Sequence, residues 1–350
     1  MTNRVEHVDI AKGISIILVA LFHSKIYPFA PDIMNAMGLF RMPLFFFLSG
    51  VFFNASTGAC FFLWKKSDAL LKPYFATLLV VLIFEALFRE EHLIRQLIGV
   101  FYGNGVTIPP RWVPMWFLTH LFLIYVFTYF IFRITNVQSK NVFFKYIFIL
   151  MLMVIGTQWI DAFWNLEITL FGTEIIMPGL PFGIDIVLVS ASYFVSGAFL
   201  REKVIHFTPN VYFLICSVLM FLLVTMFTDA HMDLNRRVYS NPFFTTAGSM
   251  AGIYTVMCIA YYLSKTINPR NIFLTFGQAS LFILIFHVFI GSNVYGYLIG
   301  LETENREMWF AIFAFIISIS VPLLIKYFVF KNNILSSFYC PVKIKKTTKM

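Results

Sequence analysis

The stretch Asp9-Ile-Ala-Lys-Gly-Ile-Ser-Ile-Ile-Leu-Val-Ala-Leu-Phe-His23 decides how the chain is read. It has the length and apolarity of a transmembrane helix, the first of many, with a lysine at its mouth and a histidine deep inside. Lys12 and His23 are separated by three helical turns plus a small angle, so both project from one face. At about 1.5 Å rise per residue they stand roughly 16 Å apart along the axis. An ionisable side chain inside a bilayer is costly, which makes His23 a functional candidate. A histidine hydrogen-bonded to a neighbouring helix as glue is the competing reading, of equal weight.

The composition agrees with a membrane protein. Of 350 residues 59% are hydrophobic and 12% charged, where a soluble domain carries about 25% charged residues. Mean hydropathy is +0.81. No small-residue cleavage site follows Pro28-Phe-Ala-Pro31, so the first apolar run is expected to be a retained helix rather than a signal peptide. Cys60, Cys216, Cys258 and Cys340 show no paired spacing, which supports neither a disulfide framework nor a cysteine metal site.

Ten apolar runs of near-spanning length lie at about residues 10–30, 36–63, 73–88, 112–132, 143–160, 181–200, 210–228, 243–263, 273–300 and 308–330. Lysine and arginine set their orientation. With the N-terminus inside, only Arg89, Arg95, Arg111, Arg236, Arg237 and Arg306 fall outside; Lys25 and Arg41 lie in or near spans, and all the others are inside. Acids run the other way, with Asp161, Glu167, Glu174, Asp229, Asp233, Glu302, Glu304 and Glu307 in outer loops. The expected fold is therefore an all-α polytopic bundle of about ten helices, N-in and C-in. One transmembrane domain covers residues 1–335, and 336–350 form a basic cytoplasmic tail suited to anionic membrane lipids. That tail accounts for the net charge of +9 without nucleic acid.

Four ionisable residues fall at similar depth, in the middle-to-outer part of the bilayer: His23, Glu85, His120 and His287. Together they suggest a polar cavity. Glu85 with Arg89 also fits an intrahelical i,i+4 pair, and Trp116, on one face with His120, fits an interfacial anchor. Three histidines at one depth raise zinc, but no ligand spacing supports it, so no metal is expected. On the cytoplasmic side Lys65, Lys66 and Lys72 gather before the third span with Lys12 nearby. The positive-inside rule explains them; a phosphate-rich cytosolic ligand would suit them equally.

The Lys12-x10-His23 pattern resembles the basic-x10-His signature of the acyltransferase-3 family of membrane O-acyltransferases. Arg41-Met-Pro-Leu-Phe-Phe-Phe-Leu-Ser-Gly50 resembles its second-helix signature, Pro114-Met-Trp-Phe-Leu118 its Trp-Phe-Leu motif, and Leu281-Phe-Ile-Leu-Ile-Phe-His287 its late histidine-bearing helix. Pro181-Phe-Gly-Ile-Asp185, followed by Ser196-Gly197, is similar to the branch of fucose O-acetylase-type and surface-polysaccharide acetyltransferases. Two features depart from the pattern. Arg41 stands where histidine is frequent, and the paired arginines before the third helix appear as Lys65, Lys66 and Lys72.

The resemblance implies transfer of an acetyl group from cytosolic acetyl-CoA to a hydroxyl of an exported carbohydrate, in a bacterial inner membrane. It casts His23 as general base, with direct transfer and a transient acetyl-histidine both open. Arg41 would stabilise the oxyanion or hold the acceptor, Glu85 would orient a histidine, and Lys12, Lys65, Lys66 and Lys72 would bind the donor. Trp116, His120, His287 and Asp185 would line the acceptor site. The alternative from a different class is a transporter or flippase for a polysaccharide intermediate, with His23, Glu85 and His287 as a proton relay. The absence of inverted repeats weakens it.

Overall fold

The computed structural model describes residues 5–88, 93–170, 173–301 and 306–342. Backbone polar groups find no water in a hydrocarbon core, so helices must carry the chain across it. Among the described residues eight helical segments are long and apolar enough to span, and α1 (Glu6–Phe22) and the later Val211–Phe227, of 17 residues each, are the helices of the two remaining apolar runs. After α1 come α2 (Pro31–Val51), α3 (Ala59–Lys66), α4 (Lys72–Phe88) and a short outer helix, α5 (Leu93–Tyr102). A π-helical turn, Ser67–Leu71, fuses α3 to α4. A 3₁₀ turn at Pro110–Met115 leads into α6 (Trp116–Thr135), and α7 (Val142–Trp159) returns outward.

The outer hairpin β1 (Trp164–Leu170) and β2 (Thr173–Pro178) precedes α8 (Val187–Phe199), α9 (Arg201–Ile205) and α10 (Val211–Phe227). A second outer hairpin, β3 (Met232–Asp233) and β4 (Val238–Tyr239), leads to α11 (Pro242–Leu263), α12 (Asn268–Gln278), α13 (Ser280–Ile299), α14 (Glu307–Lys331) and α15 (Asn333–Tyr339). Both two-stranded hairpins are antiparallel and lie outside the spans, where loops were expected.

Three runs divide differently from their sequence outlines. The first stops at Phe22, because the Ser24 hydroxyl donates to Leu21 O at 2.6 Å and Pro28 and Pro31 follow. His23 therefore caps the helix instead of lying within it. The second run breaks after Val51, and residues 54–58 carry no helix before α3. The ninth parts at Ala279 into α12 and α13. α12 lies along the first half of α1, where Gly13 and Gly277 let the backbones meet; a Cβ on either would overlap a carbonyl of the other helix, Phe273 O or Asp9 O. The tail is not wholly free either. α15 packs on α14 and α4, Lys72 Nζ donates to Cys340 O at 2.8 Å, and Val342 N–H donates to Asp68 Oδ2 at 2.6 Å. Lys343, Lys345, Lys346 and Lys349 lie outside the described residues.

The core centres on α2 and α8. With lipid outside as apolar as leucine inside, tight association rests on close backbone approach. Gly50 and Gly197 supply it: a Cβ on Gly50 would overlap the Phe194 carbonyl, and one on Gly197 the Phe47 carbonyl. The Ser-Gly ends of two of the motifs are thus one interface. Gly50→Leu is expected to cost more than the about 1–3 kcal/mol of ordinary overpacking, since backbone must move, and would show as a lowered thermal midpoint and folded yield in detergent.

Candidate active site between two histidines

α1 delivers His23 to a polar chamber of about 560 Å³ that it shares with Tyr27, Asn35, Arg41, Trp116 and the β3–β4 turn, His231 to Arg236. The chain turns sharply after His23, and the Tyr27 hydroxyl donates to Asn35 Oδ1 at 3.0 Å, fastening the turn to α2. Phe22 is boxed in by the rings of His23 and Tyr27, both edge-on. On its face lies the Arg41 guanidinium, 3.7 Å from the ring centroid, a cation–π contact. Arg41 is only 7% exposed, and its Nη1 has no hydrogen-bond partner among the described residues. A buried guanidinium donor without an acceptor is costly, so this one is ready for an oxygen brought by a substrate.

His287 approaches His23 from α13, the ring centroids 5.5 Å apart. Its Nδ1 lies 2.6 Å from Ile283 O and 3.1 Å from Leu284 O. Carbonyls only accept, so Nδ1 carries a proton, and in the neutral form of the ring Nε2 holds the lone pair. That atom is buried and has no partner among the described residues. A void of about 10 Å³ beside the two rings, bordered by Ser24, Lys25 and Ser318, has room for about one water.

Inward of His23 the space narrows to an apolar void of about 20 Å³ among Val19, Met42, Phe45, Phe117 and Leu284. Farther in, at the cytoplasmic end of α2, Lys12 and Lys66 stand against aromatic rings. Lys12 Nζ lies 4.9 Å from the Phe52 ring and 3.5 Å from Asp9 Oδ1. Lys66 Nζ lies 3.3 Å from the centre of Tyr125, whose hydroxyl donates to Ser49 O. Lys65 points to solvent. Lys72 turns elsewhere, paired with Asp68 at 2.5 Å and with the Cys340 carbonyl.

The other candidates are not brought to the chamber. Glu85 lines a separate groove between α4 and α13 and bonds neither histidine; its suggested partner Arg89 lies outside the described residues. His120, wholly buried, has Nδ1 3.0 Å from Phe182 O and Nε2 2.8 Å from Ser190 Oγ, behind Trp116. Asp185 is buried against Arg237, whose Nε and Nη2 reach its two oxygens at 2.8 and 3.1 Å. Arg237 also donates to Asn104 Oδ1 and to Asn235 O. This pair clasps the 3₁₀ turn before α8 to the β3–β4 hairpin and the 103–107 loop. Tyr27, Asn35, Asn235 and Arg236, which do line the chamber, carried no motif in the sequence.

Buried charge on crossing helices around one outward chamber defines a polytopic membrane protein with an intramembrane site. The chain belongs to the acyltransferase-3 family: residues 5–327 match the family model, described as an acyltransferase domain, so it is a membrane acyltransferase. Comparison with curated proteins and with solved structures finds no match.

Asp185→Asn leaves Arg237 buried and half-paired, and is expected to cost about 3–5 kcal/mol. A thermal melt of the purified protein measures it, with Arg236→Gln, on the exposed side of the same turn, as the near-neutral control.

Proposed function

We propose that the protein transfers an acetyl group from cytosolic acetyl-CoA to a hydroxyl of a carbohydrate at the outer face of a bacterial inner membrane. One observation carries this reading: His23 borders both the polar chamber and a small apolar void on the side of the helix that leads back to Lys12. A donor approaching from inside and an acceptor from outside would meet at its ring. The chamber suits a carbohydrate, being lined by a phenol, an amide, a tryptophan and the acid and base of the β3–β4 turn. Lys66, with Lys65 in solvent nearby, fits the phosphates of the donor; Lys12 would join it by loosening its longer 3.5 Å pair with Asp9, while Lys72 is held more closely by Asp68 and the Cys340 carbonyl.

In this mechanism His23 takes the proton of the acceptor hydroxyl as its oxygen attacks the thioester carbonyl. The carbonyl oxygen gains negative charge, which Arg41 Nη1 balances as a charge-assisted donor. The intermediate collapses by breaking its C–S bond, and His23 returns the proton to the departing thiolate. Ester and free thiol remain. His287, with its proton on Nδ1, offers Nε2 to the N–H of His23 through one water, and so turns the other nitrogen of His23 toward the acceptor. A transient acetyl-His23 differs in order: the ring attacks first, and the hydroxyl then displaces it.

Membranes containing the protein, labelled acetyl-CoA and host surface glycan test the reading. Alkali-labile label should appear on the glycan and fall by about 10²–10⁴-fold in His23→Ala, the range of a lost general base. Full activity in that variant would refute the assignment, and glycan movement across the membrane without donor consumption would favour transport. His287→Ala should lower turnover at unchanged donor KM. Arg41→Lys keeps charge but loses the planar fork, and is expected to lose about 10²-fold, the scale of one oxyanion donor.

A further inference from the structure

A second sizeable cavity lies apart from the histidine chamber. A groove of about 670 Å³ runs between α4 and α13, within the range of about 300–1,000 Å³ typical of ligand sites. Val80, Val81, Phe84, Phe286, Phe289 and Trp112 form its walls. Its inner end is closed by Tyr339 of α15, whose hydroxyl lies 3.1 Å from Thr77 Oγ1 and whose ring lies against Phe282 and Phe286. Its side opens outward from the bundle, for Val80 is 66% and Phe84 61% exposed, so in a membrane it meets lipid chains.

The outer end is polar. Glu85 lies one turn before the end of α4, and Arg111 begins the turn toward α6 with Nη1 donating to Asn293 Oδ1 at 3.1 Å. Glu85 and Arg111 form no ion pair with each other. Glu85 Oε2 is buried and has no hydrogen-bond partner among the described residues. A carboxylate oxygen held away from water without a donor is unstable unless a ligand supplies one.

We propose that this groove is a binding site for an outer-leaflet phospholipid with a primary amine in its headgroup. One acyl chain lies along the aromatic walls with its end toward Tyr339. The phosphate faces Arg111, and the ammonium gives Glu85 Oε2 the proton donor it lacks. An acid and a base at one rim complement a zwitterion; an anionic headgroup would meet Glu85, and a trimethylated one has no N–H to donate. The inference does not depend on the acyl-transfer reading. It does touch the chamber, because one 3₁₀ turn carries Trp112 on the groove and Val113 on the chamber, so an occupied groove braces that wall.

The full-length protein in nanodiscs of phosphatidylcholine, carrying a trace of photoactivatable phosphatidylethanolamine, provides the test. Cross-links should concentrate on the peptides bearing Val80–Glu85 and Phe286–Asn293, and unlabelled phosphatidylethanolamine should compete where phosphatidylglycerol does not. Arg111→Gln, on an exposed side chain that leaves folding untouched, and Glu85→Gln should each lower the cross-link yield by about tenfold, the effect of one charge-assisted hydrogen bond. Val81→Trp, which fills the groove without changing the rim, should abolish it. Labelling spread evenly over lipid-facing helices such as α10, equal competition by phosphatidylglycerol, or undiminished yield in Arg111→Gln would overturn the proposal.

Discussion

α1 touches α2, α11, α12, α13 and α14, and the arrangement of the site depends on how closely it is held. The constraint is steric. Gly13 and Gly277 bring α12 against its inner half, and Ser15 reaches the Arg41 carbonyl of α2 at 3.4 Å. In a medium where apolar surface gains nothing by association, such contacts and buried polar bonds decide helix position. Once α1 is fixed, its C-cap fixes His23, and α13, continuing from α12 after the break at Ala279, brings His287 alongside. The two histidines are partners because two glycines, several turns away, remove a side chain.

Much of this was legible in the sequence, and the reasons are specific. Apolar length marked ten helical runs, eight of which among the described residues are long and apolar enough to span, because a hydrocarbon core demands that length. His23, Arg41, Trp116 and His287 converge on one place. Less was legible where a feature depends on contact between distant segments. Arg237 counted as an outside charge, and only the fold shows that it clasps Asp185. Equal depth grouped Glu85 and His120 with the other histidines, but depth says nothing of angle around the bundle: one faces a groove on the far side of α13, the other the packing behind Trp116. The β3–β4 turn, which walls the chamber, is too short and polar to carry a periodic signal.

The site separates solvents more than it separates residues. Outward of His23 the lining is amides, phenol and charge; inward it is valine, methionine, phenylalanine and leucine, with cations beyond. The proposed transfer from a water-soluble thioester to an exported hydroxyl would need that division, for an open aqueous path would leak protons and hydrolyse the donor.

The clasp between Asp185 and Arg237 has a consequence for the making of the protein. The acid lies at the start of α8 and the arginine beyond α10, so the acid is synthesised and placed at the membrane surface before its partner exists. Until the later hairpin emerges, Asp185 has water or nothing. The outer cap therefore closes only when α10 has crossed, and the ribosome's order imposes a waiting period on the half-built bundle. A chain stalled before residue 237 keeps an unmatched acid at its outer rim.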